Sequence, residues 1–280
     1  MKDSRPSRTA QFVAFGRALA DAGLSHVENF HDPVARIFLS EKAKQKVAQV
    51  ERAARGARAN GRVEAVRVMA DTMALRTSAI DEALRDAIAH GARQLVILGA
   101  GYDGRAWRMP ELAGITVFEV DHPATQNDKR SHADELPPAM ADVRFVPIDF
   151  ERESLEAVLA RAGHDRSSPT CWIWEGVVMY LTREAMRATL AAIAGRSAKG
   201  STLIVNYHAG GRGFMAQLIL RFIGEPQISF WTPAEMATDL RAAGFEVRED
   251  SGSVDWNQRF ARGGAKVTRT TFMRLATARR

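Results

Sequence analysis

The sequence predicts an α/β fold with a doubly wound, mostly parallel β-sheet, an antiparallel last strand and an N-terminal helical cap. Residues 12–89 have helix-like periodicity and almost no strand signal. After Gly91, short apolar runs alternate with helical stretches, which is typical of a parallel sheet with crossover helices. The tail of residues 267–275 alternates apolar and polar positions, which suits a final antiparallel strand. We therefore expect a cap over residues 1–90 and a sheet core over residues 91–280.

Each element follows from a local pattern. Asp32-Pro33 is typical of a helix start, because aspartate caps a first turn and proline fits its first position. Residues 63–89 are rich in Ala, Met and Arg and predict one long helix or two, which Gly91 ends. The other predicted strands are residues 95–98, 116–120, 143–148, 171–174, 203–207 and 245–250, and the helical stretches between them are residues 124–133, 155–162, 183–194 and 234–243.

The segment from Gln94 to Asp121 carries the most specific local signal. One apolar run meets Gly99 and Gly101, and a second apolar run ends in Glu119 and Asp121. A strand, a glycine turn, a second strand and an acidic residue are how an α/β sheet holds an adenosine-type cofactor. The glycines let the backbone approach the ligand, and the acid binds ribose hydroxyls. The pattern predicts a nucleotide-cofactor enzyme.

The motif GAGYDG, residues 99–104, fits the G-x-G-x-x-G pattern of dinucleotide-binding folds as well as an S-adenosylmethionine site. In a dinucleotide fold these glycines open a long helix whose N-terminus faces a pyrophosphate. Here only RAWRM separates Gly104 from Pro110, so a very short helix fits at most. S-adenosylmethionine has no pyrophosphate, so this short segment favours it over NAD, although the position of the acid satisfies both.

Composition bounds the class of protein and its partners. A chain of 280 residues with 46% hydrophobic residues suits one large α/β domain with a cap, or two small domains. The net charge is +6, and residues 42–67 hold much of the basic excess. This stretch predicts a solvated helical face. The alternative is a basic surface that guides an anionic substrate to the site. No aromatic residue interleaves the charges, so nucleic acid is not a predicted partner.

The single cysteine, Cys171, lies inside an apolar run, which predicts a buried thiol and excludes disulfides within the chain and zinc–thiolate sites. The first twelve residues lack the apolar core of a signal peptide, and no stretch approaches the length of a membrane span. We therefore expect a cytoplasmic protein with no membrane partner and no metal. The sequence leaves a homo-oligomer open.

Four segments between Arg76 and Leu181 carry a second signal. They are Arg76-Thr77-Ser78-Ala79-Ile80-Asp81; residues 98–105, LGAGYDGR, with Trp107-Arg108; residues 118–123, FEVDHP, followed by Lys129; and Pro147-Ile148-Asp149-Phe150 with residues 174–181, WEGVVMYL. In this order they resemble the leucine carboxyl methyltransferase family, whose bacterial branch includes polyketide and other small-molecule O-methyltransferases. Asp32-Pro33-Val34-Ala35 resembles the N-terminal cap of that family. The resemblance implies a class I methyltransferase fold, which is Rossmann-like, and S-adenosyl-L-methionine as the cofactor.

The chain departs from the family pattern at two positions. Gly104 stands where many members carry threonine, and this glycine is expected to loosen the turn. Phe150 follows Asp149 where leucine is usual, and phenylalanine supplies an apolar wall as leucine does. Neither departure argues against the cofactor.

The resemblance implies roles at the amino acid end of the cofactor. Arg76 would pair with the methionyl carboxylate, for which the alternative is a salt bridge on the helix surface. Gly99 and Gly101 would bring backbone close to the ligand, and a plain tight turn is the alternative. Glu175 ends the apolar strand CWIW, where a carboxylate is costly without a partner. The α-ammonium group is the implied partner, and a structural pair with an arginine is the alternative.

The resemblance also implies roles at the adenosine end. Asp121 would accept both ribose hydroxyls, and Glu119 is the competing candidate because residues two apart in a strand share a face. Asp149 would accept a hydrogen bond from the adenine amino group, and Phe150 would pack against the ring. The alternative for Asp149 is a helix N-cap before Ser154. The helical cap would cover the site and exclude water.

The predicted function is in-line methyl transfer to a small-molecule acceptor in secondary metabolism. A polyketide-like carboxylate is favoured over a hydroxyl, because a carboxylate is ionised at neutral pH and the chain shows no obvious base dyad. His208, with Tyr207 beside it, is the best candidate base at the carboxyl end of a strand, although a lone histidine is more often structural.

Three other functions compete with this prediction. The alternative within the same chemistry is methylation of a protein C-terminal carboxylate. A nicotinamide-dependent oxidoreductase would predict a Tyr-x-x-x-Lys spacing, and this spacing does not occur. A nucleic-acid-binding protein on a degenerate fold would have lost Arg76, Asp121 and Glu175, and all three are present.

Overall fold

A seven-stranded β-sheet forms the centre of the molecule. This computed structural model describes residues 6–55, 61–150, 152–210, 228–266 and 272–280. The strands are β1 (Gln94–Leu98), β2 (Thr116–Asp121), β3 (Asp142–Pro147), β4 (Thr170–Trp174), β5 (Thr202–His208), β6 (Glu246–Gly252) and β7 (Met273–Arg279). Their spatial order is β3-β2-β1-β4-β5-β7-β6, with β7 antiparallel to both β5 and β6. The predicted mostly parallel sheet with an antiparallel last strand is confirmed, while residues 267–271 lie outside the described residues.

Helices precede the sheet and connect its strands. They are α1 (Arg8–Leu19), α2 (Glu41–Arg55), α3 (Gly61–Ala89), α4 (Arg105–Arg108), α5 (Pro123–Arg130), α6 (Leu155–Arg161), α7 (Arg183–Gly195), α8 (Pro233–Ala242) and α9 (Ser253–Phe260). The predicted long helix is a single helix of 29 residues, α3. The predicted helix start at Asp32 is a short 3₁₀ helix, Pro33–Arg36, whose Ala35 N–H donates to the Asp32 carboxylate at 3.2 Å.

Alternate residues of the central strands face two separate hydrophobic cores. In β1, Leu95 and Ile97 pack in the core on the side of the N-terminal helices, whereas Val96 and Leu98 pack in the core on the other side. This follows from the period of two in a strand, which sends neighbouring side chains to opposite faces. The core on the side of the N-terminal helices is called the first core below, and it contains Cys171 of β4. Burial raises the pKa of the Cys171 thiol, as expected for an inert buried cysteine.

The N-terminal helices and the sheet share that first core. It contains Ala14 from α1, Ile80 and Leu84 from α3, and Ile97 from β1. The boundary predicted near residue 90 therefore separates two sequence patterns whose side chains pack together. The division into a cap over residues 1–90 and a core over residues 91–280 stays a prediction.

The part of the basic stretch that lies on α2 forms an exposed helix face. Only Val47 of α2 is buried, and Lys44 pairs with Glu41 and Glu135 at 3.0 and 3.4 Å. This agrees with the predicted solvated face. Within the part of the chain that the structure describes, no helix has both the length and the apolar character needed to cross a bilayer.

We expect Ile80→Ala to lower the free energy of unfolding by about 2–5 kcal/mol, because it empties a fully buried position in the shared core. Val68→Ala, which lies on the same helix with 38% exposure, should change it by less than about 0.5 kcal/mol. Urea denaturation followed by circular dichroism measures both. Equal losses for the two variants would contradict this assignment of the core.

Candidate active site

The residues predicted to bind the cofactor gather at the carboxyl ends of β1 to β4. Gly99 follows β1, Asp121 ends β2, Asp149 follows β3 and Glu175 follows β4. Since β1 lies between β2 and β4 in the sheet, the first, second and fourth of these strand ends are neighbours, and β3 pairs with β2. Open α/β sheets bind ligands in the crevice beyond the carboxyl ends of their strands.

The glycine turn, residues 99–104, follows β1 and lies close to the carboxyl ends of β2 and β4. The N–H groups of Gly99 and Ala100 both donate to the carbonyl of Val120, at 2.8 and 3.1 Å. Gly99 has a φ of +69°, and a Cβ atom there would clash with Cγ2 of Val177. Backbone conformation and space thus both require glycine at this position.

The helix that follows the turn is short. α4 has four residues, Arg105–Arg108, and a 3₁₀ turn from Pro110 follows it. No long helix opens at these glycines to face a pyrophosphate, so the geometry disfavours a dinucleotide. Gly104 lies in a closely packed place, and the expected loosening of the turn stays a prediction. A Cβ atom there would lie 3.0 Å from Oδ1 of Asp32 and 3.2 Å from Cβ of Val34, so the glycine lets the 3₁₀ helix pack closely.

The carboxylate of Asp121 lies at the edge of the sheet, beside the glycine turn. It accepts hydrogen bonds from the backbone N–H of Gly101 and from that of His122, the latter at 2.6 Å. Burial raises the pKa of Asp121, although both N–H groups oppose the change. The turn and the predicted ribose-binding carboxylate are therefore held in one fixed arrangement.

Glu119, the competing ribose candidate, is engaged elsewhere. It is 1% exposed, and the Lys129 ammonium donates to its Oε2 at 2.6 Å and to the Asp103 carbonyl at 2.7 Å. Burial raises the pKa of Glu119 to about 7, against the opposing effect of Lys129. This buried pair ties β2 to α5 and the glycine turn. The geometry favours Asp121 over Glu119 for a ligand at the strand ends.

Eight charged side chains form a buried cluster beside the glycine turn, which we call the charge cluster. Its members are Arg17, Arg76, Arg105, Arg108, Asp32, Asp81, Asp103 and Glu175, and none of these side chains is more than 11% exposed. The four cations and four anions balance. An unpaired charge at such depth would be costly, so each member depends on its partners.

Arg76 and Glu175 are partners within the charge cluster. Nη2 of Arg76 lies 2.7 Å from Oε1 of Glu175, and Nη1 of Arg105 lies 3.1 Å from its Oε2. Burial alone would raise the pKa of Glu175, but Arg76 and Arg105 hold it below its ordinary value. The structural pair with an arginine is therefore present. The same pair also places one positive and one negative group side by side, which is complementary to an amino acid zwitterion.

Asp149 and Phe150 lie at the outer edge of the crevice. Asp149 is half-buried, and its carboxylate lies 3.4 Å from Nε of Arg152. Ser154, and not Asp149, caps α6. The Phe150 side chain is 54% exposed, which leaves a large apolar ring open to solvent beside the strand ends. The roles of both residues towards a ligand stay predictions.

Tyr207 and His208 face opposite sides of the sheet. Tyr207 packs with Val205 in the core away from the N-terminal helices, and its hydroxyl donates to Asp250 at 2.6 Å. Burial raises the pKa of Tyr207, so it stays protonated. His208 is partly buried, and the strand period sends it to the other face, which also carries Ile204 of the first core. This geometry favours His208 over Tyr207 as the candidate base.

The N-terminal helix covers the glycine turn. The N–H of Ser7 donates to Oγ1 of Thr125 at 3.2 Å, and a Cβ atom at Gly101 would lie 3.1 Å from Cβ of Ala10. Arg17, further along α1, donates to the carbonyl of Tyr102 in the turn. α1 therefore lies over the glycine turn, and the cover that the cap would give a bound ligand stays a prediction.

Sequence reasoning assigned no role to Arg17, Asp103 or Arg105. Arg105 is the clearest omission, because it is fully buried and contacts three carboxylates. The available signal was its position directly after the glycine turn, on the same short segment as Trp107. Its partners Asp81 and Glu175 are distant in sequence, so the contacts could not be read from spacing.

Comparison with known sequences identifies related proteins. The sequence profile of leucine carboxyl methyltransferase matches residues 10–194. Proteins called "Putative S-adenosyl-L-methionine-dependent methyltransferase" are 35% identical over 221 residues in Mycobacterium marinum and 37% identical over 206 residues in Mycolicibacterium vanbaalenii. These matches cover 76% and 72% of this chain, and 70% and 66% of the relatives. The match to a Streptomyces coelicolor protein of the same description covers 61% of this chain and 59% of the relative, at 38% identity.

Solved structures share the fold at low sequence identity. A DUF574 family protein from Streptomyces avermitilis superposes with a TM-score of 0.61 at 14% identity, covering 99% of each chain. Magnesium protoporphyrin IX methyltransferase from Synechocystis, with bound S-adenosylhomocysteine, gives a TM-score of 0.51 at 15% identity, covering 88% of this chain and 98% of that one. At these identities the likeness concerns the fold.

We expect Asp103 to support stability near neutral pH and to lose that contribution in acid. Burial would raise the pKa of Asp103, but Arg105 and the nearby cations lower it to about 2. A carboxyl group with a lower pKa in the folded state stabilises the protein above its unfolded pKa. That contribution is lost as the pH falls through the folded pKa. Asp103→Asn should therefore lower the free energy of unfolding at pH 7 by on the order of 2 kcal/mol.

The difference between wild type and Asp103→Asn should shrink as the pH falls from about 5 towards 3, because the unfolded carboxyl of the wild type becomes protonated. Urea denaturation across that range measures it. Asp134→Asn, at an exposed position, is the control and should show little difference at any pH. A gap for Asp103→Asn that is independent of pH would contradict the assigned ion pairs.

Proposed function

Because the chain belongs to the leucine carboxyl methyltransferase family of S-adenosylmethionine-dependent methyltransferases, we propose that it methylates an oxygen of a small-molecule acceptor. The favoured acceptor is a carboxylate of a polyketide-like secondary metabolite, methylated in the cytoplasm. The pairing of Arg76 on α3 with Glu175 directly after β4 is the observation that carries this proposal.

The amino acid end of the cofactor fits the Arg76–Glu175 pair. Nε of Arg76 is buried without a hydrogen-bond partner among the described residues, so it has capacity for a ligand. Oε1 of Glu175 is ion-paired with Nη2 of Arg76 at 2.7 Å. Arg76 would bind the α-carboxylate in the planar geometry that a guanidinium offers, and Glu175 would accept from the α-ammonium group. A zwitterion adds one charge of each sign, so it preserves the balance of the charge cluster.

The adenosine end fits the strand ends on the other side of the glycine turn. Asp121 would accept from the ribose hydroxyls, since its carboxylate lies at the sheet edge while Glu119 is bound to Lys129. Asp149 would accept from the adenine amino group, and the exposed ring of Phe150 would pack against the base. Gly99 and Gly101 would allow the backbone to approach the ligand between the two ends.

The chain's contribution to the reaction is alignment and the exclusion of water. When bound, S-adenosylmethionine supplies a methyl group on a positively charged sulfur, which leaves as a neutral thioether. The strand-end residues would hold the two ends of this cofactor, and α1 over the glycine turn would exclude water. Proximity and orientation of this kind can lower the barrier by roughly 7–11 kcal/mol.

The positions of the two candidate bases, Tyr207 and His208, are consistent with a carboxylate acceptor. Tyr207 is bound to Asp250 on the opposite face of the sheet, which leaves His208 as the candidate of the two. An ionised carboxylate needs no base to attack a methyl group, whereas a phenol with a pKa near 10 would benefit from one. We therefore propose an ester as the product.

We expect wild-type protein to bind S-adenosylmethionine with micromolar affinity and to show no binding of NAD(H). Asp121→Ala should weaken S-adenosylmethionine binding by about 10²-fold, because two charge-assisted hydrogen bonds are lost. Asp142→Ala, at the exposed amino end of β3, is the matched control and should bind like wild type. Isothermal titration calorimetry measures all three. Preference of the wild type for NAD(H) would refute the assignment of the cofactor site.

With a carboxylate acceptor, we expect His208→Ala to change kcat by less than about threefold, because no proton needs to be removed. The control is His90→Ala, at the opposite end of the sheet from the strand-end crevice. Transfer of a labelled methyl group to paired acids and phenols measures the rates. A loss of about 10²-fold or more with a carboxylic acid would show that the reaction requires a base and would argue against a simple ester-forming step.

A further inference from the structure

Arg105 connects three parts of the site through one guanidinium group. Its Nε donates to Oδ1 of Asp81 at 2.7 Å, and its Nη1 donates both to Asp103 and to Oε2 of Glu175, the latter at 3.1 Å. Its backbone N–H donates to Oδ1 of Asp103 at 2.8 Å. Asp81 lies on α3, Asp103 in the glycine turn and Glu175 after β4. With 0% exposure, Arg105 is also the most deeply buried arginine of the charge cluster.

We propose that Arg105 is a positioning residue that fixes the Glu175 carboxylate for the α-ammonium group of the cofactor. This inference rests on the proposed function. Glu175 has two guanidinium partners, Arg76 on Oε1 and Arg105 on Oε2. In the proposed function, Arg76 also binds the ligand's carboxylate, so its contact with Glu175 is shared. The proposed function assigns Arg105 no contact with the ligand, so its contact with Glu175 is the one that stays in place.

Asp81 and Asp103 hold Arg105 in the orientation that this role requires. Each carboxylate fixes a different part of the guanidinium plane, at Nε and at Nη1. The remaining Nη1 contact then points to Glu175. Because α3 and the glycine turn are themselves packed in the core, the Glu175 carboxylate is tied to rigid elements on both sides.

Arg108 provides a natural contrast on the same short helix. Its Nη1 and Nη2 donate to the two oxygens of Asp81 at 2.7 and 3.0 Å, and its Nε lies 3.6 Å from Asp32. Among the described residues, its ion pairs are with these two aspartates, and Glu175 is not one of them. Arg108 therefore shares the burial and the charge balance of Arg105 without the contact to Glu175.

Lysine at position 105 would keep the charge and lose the geometry. A guanidinium presents five N–H donors in a plane, whereas an ammonium group is a compact charge with three donors. One ammonium group cannot reach Asp81, Asp103 and Glu175 with the same directions. Arg105→Lys therefore separates the positioning of Glu175 from the charge balance of the cluster.

The test compares two ligands that differ at the amino acid end. S-adenosylhomocysteine carries adenosine and the amino acid group, whereas 5′-methylthioadenosine carries adenosine and lacks the amino acid. By calorimetry, Arg105→Lys should weaken S-adenosylhomocysteine by about tenfold, the size of one weakened charge-assisted hydrogen bond. It should leave 5′-methylthioadenosine within about twofold of wild type, and Arg108→Lys should leave both ligands within about twofold.

Two further measurements separate positioning from folding. In a Glu175→Gln background, Arg105→Lys should cause little additional loss of S-adenosylhomocysteine affinity, because the residue through which it acts has already changed. Urea denaturation of Arg105→Lys and Arg108→Lys measures any loss of stability. If Arg105→Lys fails to fold, the double variant Arg105→Gln/Asp103→Asn removes one charge of each sign and should show the same selective loss.

The outcomes are distinguishable. Equal weakening of both ligands by Arg105→Lys would show general distortion of the crevice and would overturn the inference. So would unchanged affinity for S-adenosylhomocysteine, or the same selective loss in Arg108→Lys. If the wild type binds neither ligand, the proposed function itself fails and this inference fails with it. That result is seen before any variant is made.

Discussion

The geometry of the site depends on one buried network of opposite charges. Arg17 brings α1 into it, Asp81 brings α3, Asp103 brings the glycine turn and Glu175 brings the end of β4. Replacing one partner in such a network leaves a charge buried without compensation, which typically costs about 3–5 kcal/mol. The network is therefore better understood as a device that fixes relative positions than as a source of net stability.

The two faces of the sheet carry different kinds of residues. The face towards the N-terminal helices carries Glu119, Asp121 and the candidate base His208, while the other face carries Tyr207 within an apolar core. The cap is not an addition beside the site, because α1 and α3 fill the core on that first face and supply arginines to the charge cluster. Closure over the site and stability of the sheet therefore depend on the same packing.

The two ends of the crevice differ in charge and in exposure to solvent. At one end, Arg76 and Glu175 neutralise each other, so a zwitterion can enter without leaving a net charge buried. At the other end, Asp121 is held by backbone N–H groups and Phe150 is exposed to solvent. The described residues thus form a charged, buried end and a more exposed end, which matches a cofactor with an amino acid at one end and a base at the other.

The sequence by itself determined the order of strands and helices, the glycine turn and the acids at the strand ends, because these depend on local periodicity and on chain neighbours. It also predicted the short helix before Pro110, since proline limits it locally. Only the tertiary structure decided that Glu119 forms an ion pair with Lys129, that Arg105 contacts Glu175 and that Tyr207 faces away from the site. These contacts join residues from separate elements, and their distances are set by how those helices, turns and strands pack on one another.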